Sequence, residues 1–154
     1  MASGASASPT ADREVVVSRI IEGPRRIVFE AFTTLEGLDR WWSKGGTTRA
    51  FEFRPGGVWE FTVPRGGADV PNVVTWKEIT PPERIVWTYS NRRDDPQAVE
   101  SILTLAEHGA DTEVTLRLVF ATKAALEQAA QYGAVAGAKQ SLDLLAAAVA
   151  ERRQ

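Results

Sequence analysis

The alternation of apolar and polar positions changes period twice along the chain, and those changes divide it into three segments. Positions 14–21 are rich in Val and Ile, residues that suit a pleated surface, and predict a strand. Gly23-Pro24 breaks it, and Pro24 is pre-set for the first turn of a helix. Ile27, Val28, Ala31, Phe32 and Leu35 then recur at helical spacing, and 36–42 predicts a second short helix carrying Leu38, Trp41 and Trp42.

From Thr48 to Phe120 the period is two. Phe51 and Phe53 alternate with polar or charged neighbours, as do Trp59, Phe61 and Val63. A strand follows over 72–79, then Ile85, Trp87 and Tyr89 on one face of the next. Val99, Ser101, Leu103 and Leu105 share a face, and so do Val114, Leu116, Leu118 and Phe120. Turns are expected at Pro55-Gly56-Gly57, over 64–69, at Pro81-Pro82, over 91–96 and at His108-Gly109-Ala110-Asp111. Hairpins with one apolar face form an antiparallel meander. The third segment, 123–153, is Ala-rich and predicts one long helix, with Leu126, Ala130, Gly133, Gly137, Gln140, Leu144 and Ala148 along its broad face. Strand, two helices, six strands and a long helix make an α+β fold.

Composition narrows the function classes. The 154 residues suit one domain, expected over 13–154 after a disordered Ala/Ser/Gly-rich tail over 1–12. A net charge of -2 argues against nucleic-acid binding, which wants a strongly basic face. The chain has no Cys and one His, so thiolate chemistry is excluded and a metal site or a Ser–His–Asp triad would rest on His108 alone. His108 falls in a hairpin turn, where a surface role is expected. No apolar run approaches the length of a membrane span and the N-terminus has no secretory pattern, so a cytoplasmic protein without membrane attachment is expected. No cofactor, metal or catalytic residue is assigned.

Two patterns suggest a hollow interior. The first half of the long helix carries Ala129, Ala130, Gly133, Ala134, Ala136, Gly137 and Ala138, while its bulk lies further on at Leu142, Leu144, Leu145 and Val149. A Gly inside a helix costs about 0.5–1 kcal/mol relative to Ala, so Gly133 and Gly137 need a reason. Opposite them the sheet supplies large side chains. Interdigitation explains this as well as a pocket does. The pocket reading assigns ligand contacts to Trp41, Phe53, Trp59, Phe61, Trp87, Tyr89, Leu103, Leu116, Tyr132, Gly133, Gly137 and Gln140. Glu52, Glu60 and Glu78 are expected on the solvated face.

Several strings, in order, resemble the SRPBCC (START-like) superfamily, and within it the branch named after the activator of heat-shock protein 90 ATPase. They are Pro24 with Val28-Phe29 and Ala31-Phe32, Arg40-Trp41-Trp42, the run from Glu52 to Gly57 followed by Trp59, the run from Ile79 to Tyr89, Thr112, and Gly137 ahead of Ser141-Leu142-Asp143-Leu144-Leu145. The resemblance implies a helix-grip fold: a curved antiparallel sheet of about seven strands around the C-terminal helix, commonly enclosing a cavity for lipids, polyketides or flavonoid-like molecules. Two positions depart from the pattern. Glu52 stands where Asp is usual, and Ala138 stands where Trp is usual, which enlarges the space near the helix middle.

Three function classes follow. Binding of a hydrophobic small molecule ranks first. A stress-related regulator of the heat-shock protein 90 ATPase, with a chaperone as partner, is the second. The third is a cyclase or hydrolase acting on an aromatic polyketide, which needs a polar group in the pocket from Tyr89, Ser101 or Gln140. A homodimer is the remaining partner expectation.

Overall fold

The computed structural model describes residues 11–42 and 46–152. A short 3-10 turn, Ala11–Arg13, leads into β1 (Glu14–Ile21). It is anchored, since the Phe120 N–H donates to the Arg13 carbonyl at 2.8 Å and the Arg13 guanidinium donates to the Phe120 carbonyl at 2.5 Å. Ala11 and Asp12, expected in the tail, belong to this turn. Residues 1–10 lie outside the described residues.

Helices α1 (Arg25–Glu30) and α2 (Leu35–Asp39) follow, then six strands: β2 (Thr47–Phe51), β3 (Val58–Arg65), β4 (Ala68–Thr80), β5 (Arg84–Ser90), β6 (Val99–His108) and β7 (Asp111–Val119). All seven strands form one antiparallel sheet in the order β1-β7-β6-β5-β4-β3-β2. The first strand thus pairs with the last, and α1 and α2 carry the chain from one sheet edge to the other. The Thr34 hydroxyl caps α2 by accepting from the Gly37 N–H at 3.0 Å. At the α1 entrance, Thr112 Oγ1 donates to the Gly23 carbonyl at 2.8 Å, tying that corner to β7.

The meander matches the expected alternation with two adjustments. The turn expected over 64–69 shrinks to Gly66 and Gly67, both at positive φ, because Pro64 and Arg65 still pair with Asp69 and Ala68. A two-residue turn of this kind matches the twist of its strands. In β4 a bulge at Lys77 shifts the inward parity, so Val74 and Trp76 face in on even numbers while Ile79, paired with Ile85, faces in on an odd one.

The expected long helix is two helices, α3 (Lys123–Gln131) and α4 (Ala134–Arg152). Gly133, at φ +88°, takes the left-handed conformation that ends α3, and its carbonyl accepts the Gly137 N–H at 2.8 Å to start α4. The break resets the helical phase. The buried stripe of α4 is Ala138, Leu142, Leu145 and Val149, with Ala148 beside it, while Gln140 is exposed. The sequence expectation of one continuous face through Gly133 puts Gln140 inward, and the break is what turns it to the surface. α4 packs against β1 and α1, inside the curve of the sheet, giving the helix-grip architecture.

Candidate functional site

The inner face of the sheet is filled on one half and hollow on the other. On the β2–β4 half, Phe51, Phe53, Trp59, Phe61 and Trp76 pack among themselves. Trp59 and Phe61 stack at 4.0 Å, Phe53 meets Trp76 edge-on at 4.8 Å, and Trp59 and Trp76 are both 0% exposed. Trp59 Nε1 donates to Thr48 Oγ1 at 3.1 Å, which satisfies its polar edge within the core. Trp59 and Phe61 are therefore core residues and Phe53 packs half-buried against them, and none of the three lines the cavity on the other half, contrary to the sequence expectation. Their size nominates them in the sequence, but here large side chains meet large partners, Phe29 of α1 and Trp42.

Trp42 is the partition. Its ring lies 5.0 Å from Trp59 on the solid side and 5.3 Å from Trp87 on the other. Beyond it, under β5, β6 and β7, lies a cavity of about 500 Å³. The end of α2 and the α1–α2 connection supply Trp41, Trp42 and Phe32. The sheet supplies Trp87 and Tyr89 from β5, Val99, Ser101 and Leu103 from β6, and Leu116 and Leu118 from β7, with Phe120 just beyond. The helical wall begins with small residues, Ala129, Ala134, Gly137 and Ala138, before Ser141 and the three leucines Leu142, Leu144 and Leu145. The cause is local. In the row Trp87–Ser101–Leu118 the central strand contributes only a serine, and the helix answers with Gly137 and Ala138 rather than bulk. Small residues face small residues, so a void persists in an otherwise close-packed interior.

Of the residues the sequence nominated, Trp41, Trp87, Tyr89, Leu103, Leu116 and Gly137 are brought together on this cavity. Tyr132, Gly133 and Gln140 are not. Tyr132 is 83% exposed beside the helix break, Gly133 makes the break itself, and Gln140 points outward because of the phase reset. Ser101, which the sequence offers as a polar group for the pocket, and Ala138, which the resemblance marks as added space, both line the cavity, and Trp42 joins them as a wall residue outside the nominated contacts.

The polar groups of the site are few. Tyr89 Oη donates to Asn72 Oδ1, and burial raises its pKa above the ordinary phenol value although the Arg65 charge pulls the other way. Ser141 Oγ donates to the Gly137 carbonyl at 3.1 Å. Trp41 Nε1 donates to the Ala31 carbonyl at 3.2 Å, which fixes its ring in the wall. Glu52, Glu60 and Glu78 lie elsewhere, paired with Arg54, Arg93 and Arg84, and the hydrogen bond from Arg93 holds Glu60 below its ordinary pKa. His108 is exposed at the end of β6, as expected. A second hollow, between α1, α2 and the end of α4, is lined by Arg26, Glu30, Glu36, Arg40, Glu151 and Arg152. Those charges pair with one another and leave no unbalanced excess to attract a ligand.

A family model described as activator of Hsp90 ATPase homolog 1-like protein matches residues 22–150. The chain belongs to that family. No curated protein matches it in sequence. Among solved structures, a protein of Nitrosomonas europaea is 20% identical over 93% of this chain and 97% of its own, with a TM-score of 0.81. One from Arthrobacter aurescens is 15% identical, covering 94% and 90%, also at 0.81. A Staphylococcus epidermidis protein is 19% identical, with 91% of each chain covered and a TM-score of 0.77. At these identities the likeness speaks for the fold, and the function of this family member has to be argued from its own cavity. None of the described helices is long and apolar enough to cross a membrane.

Gly137 gives a first test of the geometry. A Cβ built on it meets nothing within 4 Å, and its φ lies outside the left-handed range. Gly137→Ala should therefore gain the helix propensity without a clash, about 0.5–1 kcal/mol. At roughly 2–4 °C per kcal/mol for a chain of this size, melting should rise by about 1–4 °C in a circular dichroism scan. A fall would show that the helix is packed closely there and that the space is not open.

Proposed function

We propose that this protein binds a hydrophobic small molecule in the cavity between the sheet and α4. The observation that carries the reading is the cavity itself: about 500 Å³, walled almost wholly by aromatic and aliphatic side chains, in a protein whose other half is tightly packed. That volume falls within the usual range for ligand sites. An empty apolar void costs stability, and filling it with apolar surface recovers roughly 25 cal/mol per Å² removed from water. A ligand of about 20 non-hydrogen atoms at about 0.3 kcal/mol each would bind with a dissociation constant of tens of micromolar, which sets the concentration for a screen.

The experiment is native mass spectrometry of the purified protein, followed by a thermal-shift screen of lipids, flavonoids and polyketides. A co-purified adduct, or a class of compound that raises the melting temperature, supports the reading. A panel without any binder at submillimolar concentration rejects it. Among the described lining residues Tyr89 alone titrates, and burial keeps its phenol neutral beyond the ordinary value of 10. Affinity for an uncharged ligand should therefore be flat from about pH 6 to pH 9 and fall only when Tyr89 ionises. Equilibrium dialysis across that range checks this, and a titration near neutrality would place a charged group in the site.

The family's name supports a second reading, regulation of the Hsp90 ATPase. Adding the purified protein to that ATPase tests it directly: stimulation supports a chaperone partner, and an unchanged rate rejects one.

A further inference from the structure

Among the described residues, the cavity wall carries one hydroxyl with no partner. Ser101 is 2% exposed and lines the cavity midway along the sheet, between Trp87 of β5 and Leu118 of β7. The other hydroxyls there are occupied, Tyr89 by Asn72 and Ser141 by the Gly137 carbonyl. Among the described residues, nothing accepts from or donates to the Ser101 hydroxyl. The Ser101 oxygen is not sealed in the core but reaches the cavity space, so a ligand that fills the cavity without hydrogen-bonding to it leaves a desolvated hydroxyl, at a cost of about 1–3 kcal/mol. No charged side chain among the described residues lines the same cavity. An ionised ligand group would therefore be stripped of water with no counter-charge to receive it, which is far costlier than burying a neutral oxygen.

Resting on the cavity-binding reading, we infer that the ligand is an uncharged hydrophobe carrying a hydrogen-bonding oxygen, a hydroxyl or carbonyl, and that Ser101 is the residue that receives it. The apolar walls supply affinity, and Ser101 sets orientation. Carboxylates of the same size are rejected. The assignment separates neutral oxygenated aromatics, alcohols and ketones from fatty acids and other ionised lipids.

Three probes of one ring system decide it: naphthalene, naphthol and naphthoate, measured by equilibrium dialysis at neutral pH against the full-length protein and its Ser101→Ala and Ser101→Thr variants. All three proteins are first checked for equal melting behaviour. The expected result is that naphthol binds better than naphthalene, that naphthoate binds worst, and that Ser101→Ala weakens naphthol about three- to tenfold while leaving naphthalene unchanged. Ser101→Thr, which keeps the hydroxyl, should retain the preference for naphthol. If naphthol and naphthalene both bind but Ser101→Ala affects neither, or if naphthoate binds as well as naphthol, the assignment is overturned and the cavity reading stands. If neither neutral probe binds the unaltered protein, the cavity reading fails and takes this inference with it.

Discussion

Gly57→Ala should lower the melting temperature by roughly 10 °C. A Cβ at Gly57 would lie 2.2 Å from the Glu52 carbonyl oxygen and 2.9 Å from that of Arg54. Both obstacles are backbone, so no side-chain rotation relieves them. Nor can the turn simply move. The Gly57 N–H donates to the Arg54 carbonyl at 2.7 Å, its carbonyl accepts the Trp76 N–H at 2.9 Å, and the Gly56 N–H donates to the Trp76 carbonyl at 2.8 Å. Opening the turn would release the backbone of Trp76, a fully buried ring at the centre of the aromatic half of the core.

Clash relief and lost hydrogen bonds together are expected to cost about 3–5 kcal/mol, a large share of the 5–15 kcal/mol that holds a typical domain together. Gly56→Ala is the control. Its φ of +85° strains any other residue by about 1–2 kcal/mol, but a Cβ there meets nothing within 4 Å. Thermal and urea denaturation of the two variants should rank Gly57→Ala clearly below Gly56→Ala. Equal melting would mean that the turn accommodates a methyl by a movement the hydrogen bonds above do not permit.

The same turn shows what was legible in the sequence. Pro55-Gly56-Gly57 marks a chain reversal on composition alone, and period-two alternation from Phe51 to Phe120 gives the strands and their inward faces. Local patterns specify local elements, so the meander and its order come through. What did not come through depends on single residues acting on neighbours far along the chain. The sequence pattern puts Gly133 inside one helix, on its cavity face, whereas its positive φ ends α3 and rotates the face of α4. That one event sends Gln140 outward.

The division of the sheet into a solid and a hollow half was likewise invisible. Trp59 and Trp87 are alike in sequence context, each alternating with polar or small neighbours on a strand. Both rings touch Trp42 and Trp76, and they differ because Trp59 also stacks on Phe61, while Trp87 pairs across the strands with Ser101. Trp59→Ala, attractive as a binding test if Trp59 were in the pocket wall, would instead remove a fully buried core ring at about 3–5 kcal/mol and report on folding.

Ala138→Trp should abolish binding of any cavity ligand while leaving the fold intact. Ala138 is buried, faces the cavity from the second turn of α4, and stands at the position where the family resemblance leads one to expect Trp. A large side chain introduced into a packed core normally costs about 1–3 kcal/mol in strain. Here it would enter a space of about 500 Å³ bounded by Ser101, Gly137 and Ala134, so the strain term should be small. Apolar area gained by the new ring offsets it, and melting should hold or rise.

The affinity of any ligand found in the screen should fall by more than tenfold, because ring and ligand compete for the same volume. Isothermal titration on the two proteins, with melting curves on both, separates the outcomes. Lost binding with preserved melting places the ligand between β6 and α4. Retained binding in a folded Ala138→Trp protein would put the ligand on another surface, and the small residues of α4 would then need a structural explanation instead.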